Sequence, residues 1–228
     1  MAAKIEILKN IPLFSSLDEK HIEELASIAV EKHFRKNQII FNQDDTSNAL
    51  FIIKAGMVKI SIADSNNNEF ILKMIAGNDF FGEMSLLDGK PRSATATAVE
   101  ECKTLIIHRE DFIRLIQKNP AVALALMTIL AVRLRYTTEN ISNLTFYDAY
   151  GKVAKCLLYL KEKIGRQEDE KIVLNLKISR QELANLAGIT RETFTRILRE
   201  FQSRGCIQVT GKDIVILDES ILKREIIL

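Results

Sequence analysis

Hydrophobic and polar positions recur along this chain with two different periods, and the changes of period divide it into parts. Near the N-terminus, apolar residues between positions 17 and 30 recur at helical spacing, and Ser16 or Asp18 can cap the predicted helix. After Lys36, short β-rich runs are separated by Gly and Asn turns, which is typical of a small antiparallel barrel or roll. The predicted strands cover residues 38–41, 50–53, 57–62, 70–75, 93–98 and 104–108.

A long helix is predicted from Pro120 to about Thr145. Apolar positions along it alternate three and four residues apart, which is the seam of a two-stranded coiled coil and favours a dimer. The seam consists of Met127, Leu130, Leu134, Thr137, Ile141 and Leu144. Thr137 is the polar exception on this seam and Thr138 stands beside it. A tolerated polar layer would explain both hydroxyls, and the alternative is that they face the base of a bound nucleotide.

The segment 81–96, which reads FGEMSLLDGKPRSATA, carries groups suited to a small cyclic sugar-phosphate. Arg92 offers a rigid fork of donors that matches two phosphate oxygens, Ser93 adds a hydroxyl, and the Glu83 carboxylate can accept a bond from a ribose 2′-hydroxyl. Taken singly, these residues would also suit an ordinary surface hairpin. With its complete spacing, including Gly82, the segment resembles the phosphate-binding cassette of cyclic-nucleotide-binding domains.

The C-terminal part contains the signals of a helix-turn-helix. Ser179 and Glu182 have the spacing of a capping box, Gly188 supplies a left-handed turn residue, and Thr190 caps a second helix. The buried stripe predicted for that second helix is Phe194, Ile197, Leu198 and Phe201. After it, residues 206–217 read as a hairpin, which would be the wing of a winged helix.

The exposed face of the second helix has the chemistry of base recognition. Arginine reads guanine through O6 and N7, and a carboxylate accepts from cytosine N4, so Arg191, Glu192 and Arg196 in the first two turns are candidates for base contacts. A solvated face with a Glu192–Arg196 ion pair is the alternative. The predicted contacts to DNA phosphates are Arg180, Thr190, Thr193 and Lys212.

Composition narrows the classes of function without choosing one. The 228 residues carry a net charge of +2, and the part from residue 147 onward holds 15 Lys and Arg against 12 Asp and Glu, which permits a nucleic-acid partner.

The three cysteines stand some fifty residues apart, so we expect them to be small buried apolar side chains and expect no metal site. The start of the chain lacks a signal-peptide core, and the longest apolar run, 121–132, is shorter than the roughly 20 residues of a membrane span, so we expect a cytoplasmic protein without a membrane partner.

The order of cassette, seam helix and helix-turn-helix resembles the catabolite activator protein family of bacterial cyclic-AMP receptors over nearly the whole chain. The resemblance implies that Gly82 and Ser93 bind the cyclic phosphate, Arg92 pairs with it and Glu83 holds the ribose hydroxyl. It implies that Thr137 and Thr138 contact adenine, one from each subunit. It also implies a base-reading triplet for a palindrome of TGTGA-like half-sites, and the triplet is Arg191, Glu192 and Arg196.

These observations predict an α+β fold with a cyclic-nucleotide-binding β-roll over residues 1–119, a dimerisation helix and hinge over 120–146, and a DNA-binding winged helix-turn-helix over 147–228. The predicted protein is a homodimeric, cAMP-responsive transcriptional regulator rather than an enzyme, with DNA and RNA polymerase as partners. The loop MSLLDGKP is closer to the broad cassette of many relatives than to the activator itself. Control by cGMP, by a cyclic dinucleotide or by no ligand therefore stays open. The N-terminal cysteine cluster of the oxygen-sensing branch is absent from the sequence.

Overall fold

The structure is a computed structural model, and it describes residues 1–46, 48–168 and 171–226. It has the predicted α+β architecture, with a sheet-rich N-terminal part, a long helix and a helix-turn-helix. Two compact units can be distinguished, one with residues 1–62 and 73–136, the other with residues 63–72 and 137–228. The boundary falls inside the long helix, whereas the boundaries predicted from the sequence lie at both ends of that helix. The three-part functional division stays a prediction.

Two four-stranded sheets make up the β-roll. One has the strand order β1-β8-β3-β6 and the other β2-β7-β4-β5, with β8 antiparallel to β1 and β3, and β7 antiparallel to β2 and β4. The strands are β1 (Val30–Phe34), β2 (Ile39–Phe41), β3 (Ala49–Ala55), β4 (Met57–Ala63), β5 (Glu69–Ala76), β6 (Phe80–Phe81), β7 (Thr95–Ala98) and β8 (Cys102–His108). The six predicted strands are confirmed to within two residues.

Among the residues that the structure describes, four α-helices lie before the long helix. They are α1 (Ala2–Lys9), α2 (Glu19–Ile28), α3 (Glu83–Asp88) and α4 (Arg109–Lys118), and a 3-10 turn (Pro12–Phe14) follows α1. The Asp18 carboxylate caps α2 by accepting from the His21 backbone N–H at 2.9 Å. The apolar faces of the helices and the inner faces of β3 and β8 form one core, in which Leu8, Phe14, Leu25 and Phe112 are fully enclosed.

The long helix is α5 (Pro120–Phe146). Only Val122 and Leu126 are buried along it, while Met127, Leu134 and Ile141 are 59%, 68% and 61% exposed. Taken as a whole, α5 is long and apolar enough to cross a membrane by length and composition alone. A helix with so much apolar surface outside the core needs a partner for that face.

The second unit is a winged helix-turn-helix. Its elements are α6 (Ala149–Ile164), β9 (Gly165–Glu168), β10 (Lys171–Leu174), α7 (Arg180–Ala187), α8 (Arg191–Ser203), β11 (Ile207–Thr210), β12 (Asp213–Ile216) and α9 (Glu219–Arg224). The capping box of Ser179 and Glu182 is present, and Gly188 ends α7 with φ +67°. The predicted buried stripe of α8 is enclosed, from Phe194 to Phe201. The wing is the predicted hairpin, with Thr210 opposite Asp213, and it continues into the sheet order β11-β12-β10-β9.

The three cysteines are buried free thiols, as predicted. Burial raises the pKa of Cys156 to about 12, so this thiol is uncharged at neutral pH and behaves as a small apolar side chain.

Candidate functional site

The predicted cassette lies at the junction of β6, α3 and the chain leading to β7. Gly82 precedes α3 with φ +85°, a left-handed conformation that favours glycine. A Cβ on Gly82 would lie 2.6 Å from Arg92 Nη1 and 3.1 Å from the Ala49 carbonyl oxygen. Glycine is therefore needed here both for its backbone conformation and to let the arginine approach.

Arg92 is held inside the β-roll. Its side chain is only 2% exposed, with Nη1 donating to the Gly82 carbonyl at 2.7 Å and Nη2 to the Ala49 carbonyl at 2.8 Å. The Phe41 ring lies 4.2 Å from the guanidinium carbon, within the range of a cation–π contact. Burial lowers the pKa of Arg92, and the nearby carboxylates of Glu83 and Asp45 offset part of that effect. A cation enclosed in this way attracts an anionic ligand.

Glu83 is buried beside this cation and is held by an arginine that the sequence analysis missed. Its Oε1 lies 2.8 Å from Nη1 of Arg133 on α5. Arg133 Nη2 lies 2.8 Å from the Asp79 carboxylate and donates to the Phe80 carbonyl at 2.7 Å. One signal could have found Arg133, because it is the charged residue that directly follows the apolar run 121–132 and stands one turn before Thr137.

The remaining predicted ligand residues are more exposed. Ser93 is exposed, and its hydroxyl lies 3.5 Å from the sulfur of Met84. Thr137 and Thr138 are both exposed and lie four and five residues after Arg133 on α5. These two threonines belong to the second compact unit, and their contact with a base stays a prediction.

The recognition helix α8 presents the predicted base-reading residues. Arg191 and Glu192 are exposed in its first turn. Arg196 is also exposed, but its i,i+4 partner is Glu200 on the following turn, at 2.7 Å. The alternative Glu192–Arg196 ion pair is therefore not the pair that forms, which leaves the first turn of α8 available for other contacts.

Thr190 and Thr193, predicted to contact phosphates, are linked to each other at the start of α8. The Thr190 hydroxyl caps the helix by accepting from the Thr193 backbone N–H at 3.3 Å, and it donates to the Thr193 hydroxyl at 3.0 Å. Both side chains thus have a structural role, and their phosphate contacts stay predictions.

A cleft of about 320 Å³ lies between the start of α7, the start of α8 and the turn of the wing. It brings together the cationic side chains of Arg180, Arg191 and Lys212, which are separate in sequence. Nη2 of Arg180 reaches toward the Gly211 carbonyl at 3.5 Å, while Nη1 is buried without a hydrogen-bond partner among the described residues. Burial lowers the pKa of Arg180. Such a cleft, with a buried donor still to be satisfied, suits an anionic oxygen.

Two protein-family models match this chain, one in its N-terminal β-roll and one in its C-terminal helix-turn-helix. Residues 31–119 match the cyclic nucleotide-binding domain, and residues 151–225 match the Crp-like helix-turn-helix domain. The first match contains the cassette and the second contains α7, α8 and the wing.

Curated relatives match over nearly the whole length. The chain is 32% identical over 219 residues to the CRP-like cAMP-activated global transcriptional regulator of Mycobacterium tuberculosis, covering 96% of this chain and 98% of that protein. It is 34% identical over 220 residues to the cyclic AMP receptor protein of Thermus thermophilus, with 96% and 98% coverage. The solved structure of the c-di-GMP responsive global regulator CLP of Xanthomonas campestris is 26% identical, with a TM-score of 0.76 over 87% of this chain and 99% of that one. With both family domains in order and relatives aligned end to end, this chain belongs to the CRP family of cyclic-nucleotide-binding, DNA-binding transcriptional regulators.

Proposed function

We propose that this protein is a cytoplasmic, homodimeric regulator that binds cAMP in the Arg92 pocket and a palindromic TGTGA-like operator through α8. The proposed binding of a cyclic nucleotide is supported by the buried guanidinium of Arg92, which lies beside the buried carboxylate of Glu83. One group matches a cyclic phosphate and the other a ribose hydroxyl. Gly82, Ser93, Thr137 and Thr138 would complete the contacts, the threonines reaching the base.

The proposed role is that of a binding protein rather than an enzyme. Glu83 is ion-paired to Arg133, an arrangement that suits an acceptor for a ligand hydroxyl. Acid–base catalysis would require a carboxyl matched to a second proton-transfer group. We expect no AMP to accumulate when the protein is incubated with cAMP.

The apolar face of α5 supports a dimer. Met127, Leu134 and Ile141 stand one heptad apart and are each more than half exposed in the single chain. Packing against the same residues of a second copy would remove this stripe from water. Arg133, on the same helix, is ion-paired to Asp79 and Glu83 and therefore faces protein rather than lipid.

In the proposed DNA complex, the two recognition helices of the dimer enter successive major grooves roughly 34 Å apart. Arg191 and Arg196 would read guanines and Glu192 would accept from cytosine N4. The nucleotide would act by favouring the dimer arrangement with this spacing, through its higher affinity for that arrangement. Regulation of transcription would then proceed through RNA polymerase.

A cyclic dinucleotide is the second candidate effector. The Xanthomonas regulator, named for its response to c-di-GMP, supports this alternative, because it shares the fold and 26% of its residues with this chain. Both ligands contain phosphodiesters, so Arg92 suits either, and the choice depends on the groups that face the base.

Titration with nucleotides tests the proposal. We expect cAMP to bind in calorimetry and to raise the affinity for a TGTGA-type palindrome about a hundredfold, equivalent to about 2.7 kcal/mol of differential binding. Titrations with cGMP and c-di-GMP, each with and without operator at one stated salt concentration, are the comparison. Operator binding that responds to c-di-GMP and not to cAMP would refute the cAMP assignment while leaving the DNA-binding role intact.

Replacing Arg180 with glutamine is expected to weaken binding to operator and to unrelated DNA by similar factors. The reason is that a side chain bound to a phosphate positions the protein without reading sequence. The slope of log K against log salt should fall in magnitude by about 0.9 for each phosphate that the variant no longer neutralises. Fluorescence anisotropy over a salt series measures both quantities. Lys163→Gln, an exposed cation at the end of α6, is the control and should leave the slope unchanged; an equal change in both variants would refute the assignment of Arg180.

A further inference from the structure

Arg196 is held by two side chains. Its Nη1 lies 2.7 Å from Glu200 Oε1, one turn further along α8, and 3.3 Å from the hydroxyl of Tyr150 on α6. The Tyr150 hydroxyl also donates to Glu200 Oε2, and the guanidinium carbon lies 5.8 Å from the centroid of the Tyr150 ring. The three groups thus form a closed network.

Tyr150 is itself fixed by the fold. Its ring meets the fully buried ring of Phe201 edge-on, with centroids 6.2 Å apart and planes at 66°. It stands in the first turn of α6, where the Asp148 carboxylate caps the helix by accepting from the Gly151 N–H at 2.9 Å. Tyr150 is therefore a rigid support, whereas Arg196 is 57% exposed and would otherwise sample many rotamers.

The network engages one edge of the guanidinium. Among the residues that the structure describes, both hydrogen bonds of Arg196 start from Nη1. A guanidinium has five donors in a planar fork, so the Nε–Nη2 edge can still make the two parallel bonds that guanine O6 and N7 accept. Ordering this edge in advance reduces the entropy cost of binding DNA.

Glu200 also adds a negative charge next to Arg196 on the exposed face of α8. Its carboxylate forms an ion pair with Arg196, and the hydrogen bonds from Tyr150 and Arg196 lower its pKa, so it stays ionised at neutral pH. A carboxylate near DNA opposes non-specific attraction to phosphates. Removing it should therefore raise non-specific affinity while it frees the Arg196 side chain.

We propose that Tyr150 and Glu200 are positioning residues that hold Arg196 for one base pair of each half-site and thereby set the specificity at that base pair. This inference rests on the proposed DNA-reading function of Arg196. It predicts that the two residues act through Arg196 and not through the stability of the domain.

The experiment measures affinity for the operator palindrome and for a series of variant palindromes. In each variant, one base pair is replaced symmetrically in both half-sites, and discrimination at that base pair is the ratio of the two affinities. Each affinity is measured with saturating cAMP and without nucleotide. Glu200→Gln and Tyr150→Phe are expected to reduce discrimination about tenfold at a single base pair, and to leave the other positions unchanged. Glu200→Gln should in addition raise the affinity for unrelated DNA severalfold. Tyr150→Phe keeps the ring against Phe201, so its melting temperature should match that of the parent.

Glu225→Gln is the matched control, because it removes a carboxylate that pairs with Arg204 at 2.6 Å in the same unit. It should leave every discrimination ratio unchanged. In an Arg196→Ala background, Glu200→Gln should have no further effect on the ratio at the affected base pair. A tenfold effect that persists in that background would overturn the proposal, as would unchanged ratios in both Glu200→Gln and Tyr150→Phe.

Arg196→Ala separates this inference from the proposed function. If Arg196→Ala itself loses no discrimination at any base pair, the base-reading assignment fails and the positioning role fails with it. If Arg196→Ala loses discrimination and the other two variants do not, only the positioning role is overturned.

Discussion

Replacing Ile141 with glutamate is expected to turn the proposed dimer into monomers and to abolish palindrome-specific binding. Ile141 is 61% exposed in the single chain and lies on the α5 seam, so in the dimer its side chain would meet the partner helix. Two carboxylates buried there without cations cost several kcal/mol, which raises the dimer dissociation constant roughly a thousandfold. The loss of simultaneous half-site binding lowers operator affinity further. Sedimentation velocity and gel shifts measure the two effects.

Val132→Glu is the matched control for this prediction. Val132 is also 61% exposed on α5, but it does not belong to the series of seam positions. We expect this variant to remain a dimer with parental affinity for the operator. If the Ile141→Glu protein stays dimeric, or if both variants dissociate alike, the seam residues do not form the dimer interface as proposed. Recovery of the parent protein only in detergent extracts would instead assign the apolar face of α5 to a membrane.

Replacing Arg92 with leucine is expected to weaken binding of the cyclic nucleotide at least a hundredfold, or by about 2.7 kcal/mol. The guanidinium is buried beside Glu83, and Arg133 is already ion-paired to Glu83 and Asp79. Without Arg92 the phosphodiester would therefore enter the pocket beside a carboxylate and without its own cationic partner. Operator binding should lose its response to the nucleotide to the same extent. Calorimetric titration with cAMP, repeated in the presence of operator, measures both losses.

Arg92 also bonds to the carbonyls of Gly82 and Ala49, so a second variant separates ligand binding from folding. Arg92→Gln keeps hydrogen-bond donors but not the charge, and we expect it to lose the nucleotide as well while its melting temperature stays closer to that of the parent. Arg114→Leu is the surface control, because that side chain is 66% exposed and its ion pair among the described residues is with Asp111 in the same helix, α4. Parental binding of cAMP and operator by both Arg92 variants would show that the pocket is assigned wrongly.

The helix-turn-helix was predictable almost to the residue because its signals are local. Ser179 and Glu182 satisfy each other's backbone groups three residues apart, and Gly188 adopts the left-handed turn that its position requires. The wing was also predictable from a local signal, because the two-residue turn Gly211–Lys212 directly connects its two strands. Such interactions lie within a few residues and can be identified from the order of residue types.

Elements whose partners are distant in sequence were missed. The predicted N-terminal helix extends to residue 30, but Val30 pairs with Ile106 and begins β1. Strands β9 and β10 were not predicted, and β10 is stabilised by pairing with β12 some forty residues later. Helix α3 lies in the cassette, where the sequence predicted only a loop. For β1 and β10, pairing with a distant strand decides between local conformations of similar propensity.

The kinds of chemistry and their order follow from the residue types alone: a guanidinium and a carboxylate in the cassette, a heptad pattern on the long helix, and a capped second helix in the helix-turn-helix. The partner of each polar group, by contrast, depends on how the elements pack. Glu83 pairs with Arg133 fifty residues away. Arg196 pairs with Glu200 and contacts Tyr150, and not Glu192 one turn before it. A hydrophobic period shows which face of an element is buried, but it does not show which element packs against that face and brings the polar partner with it.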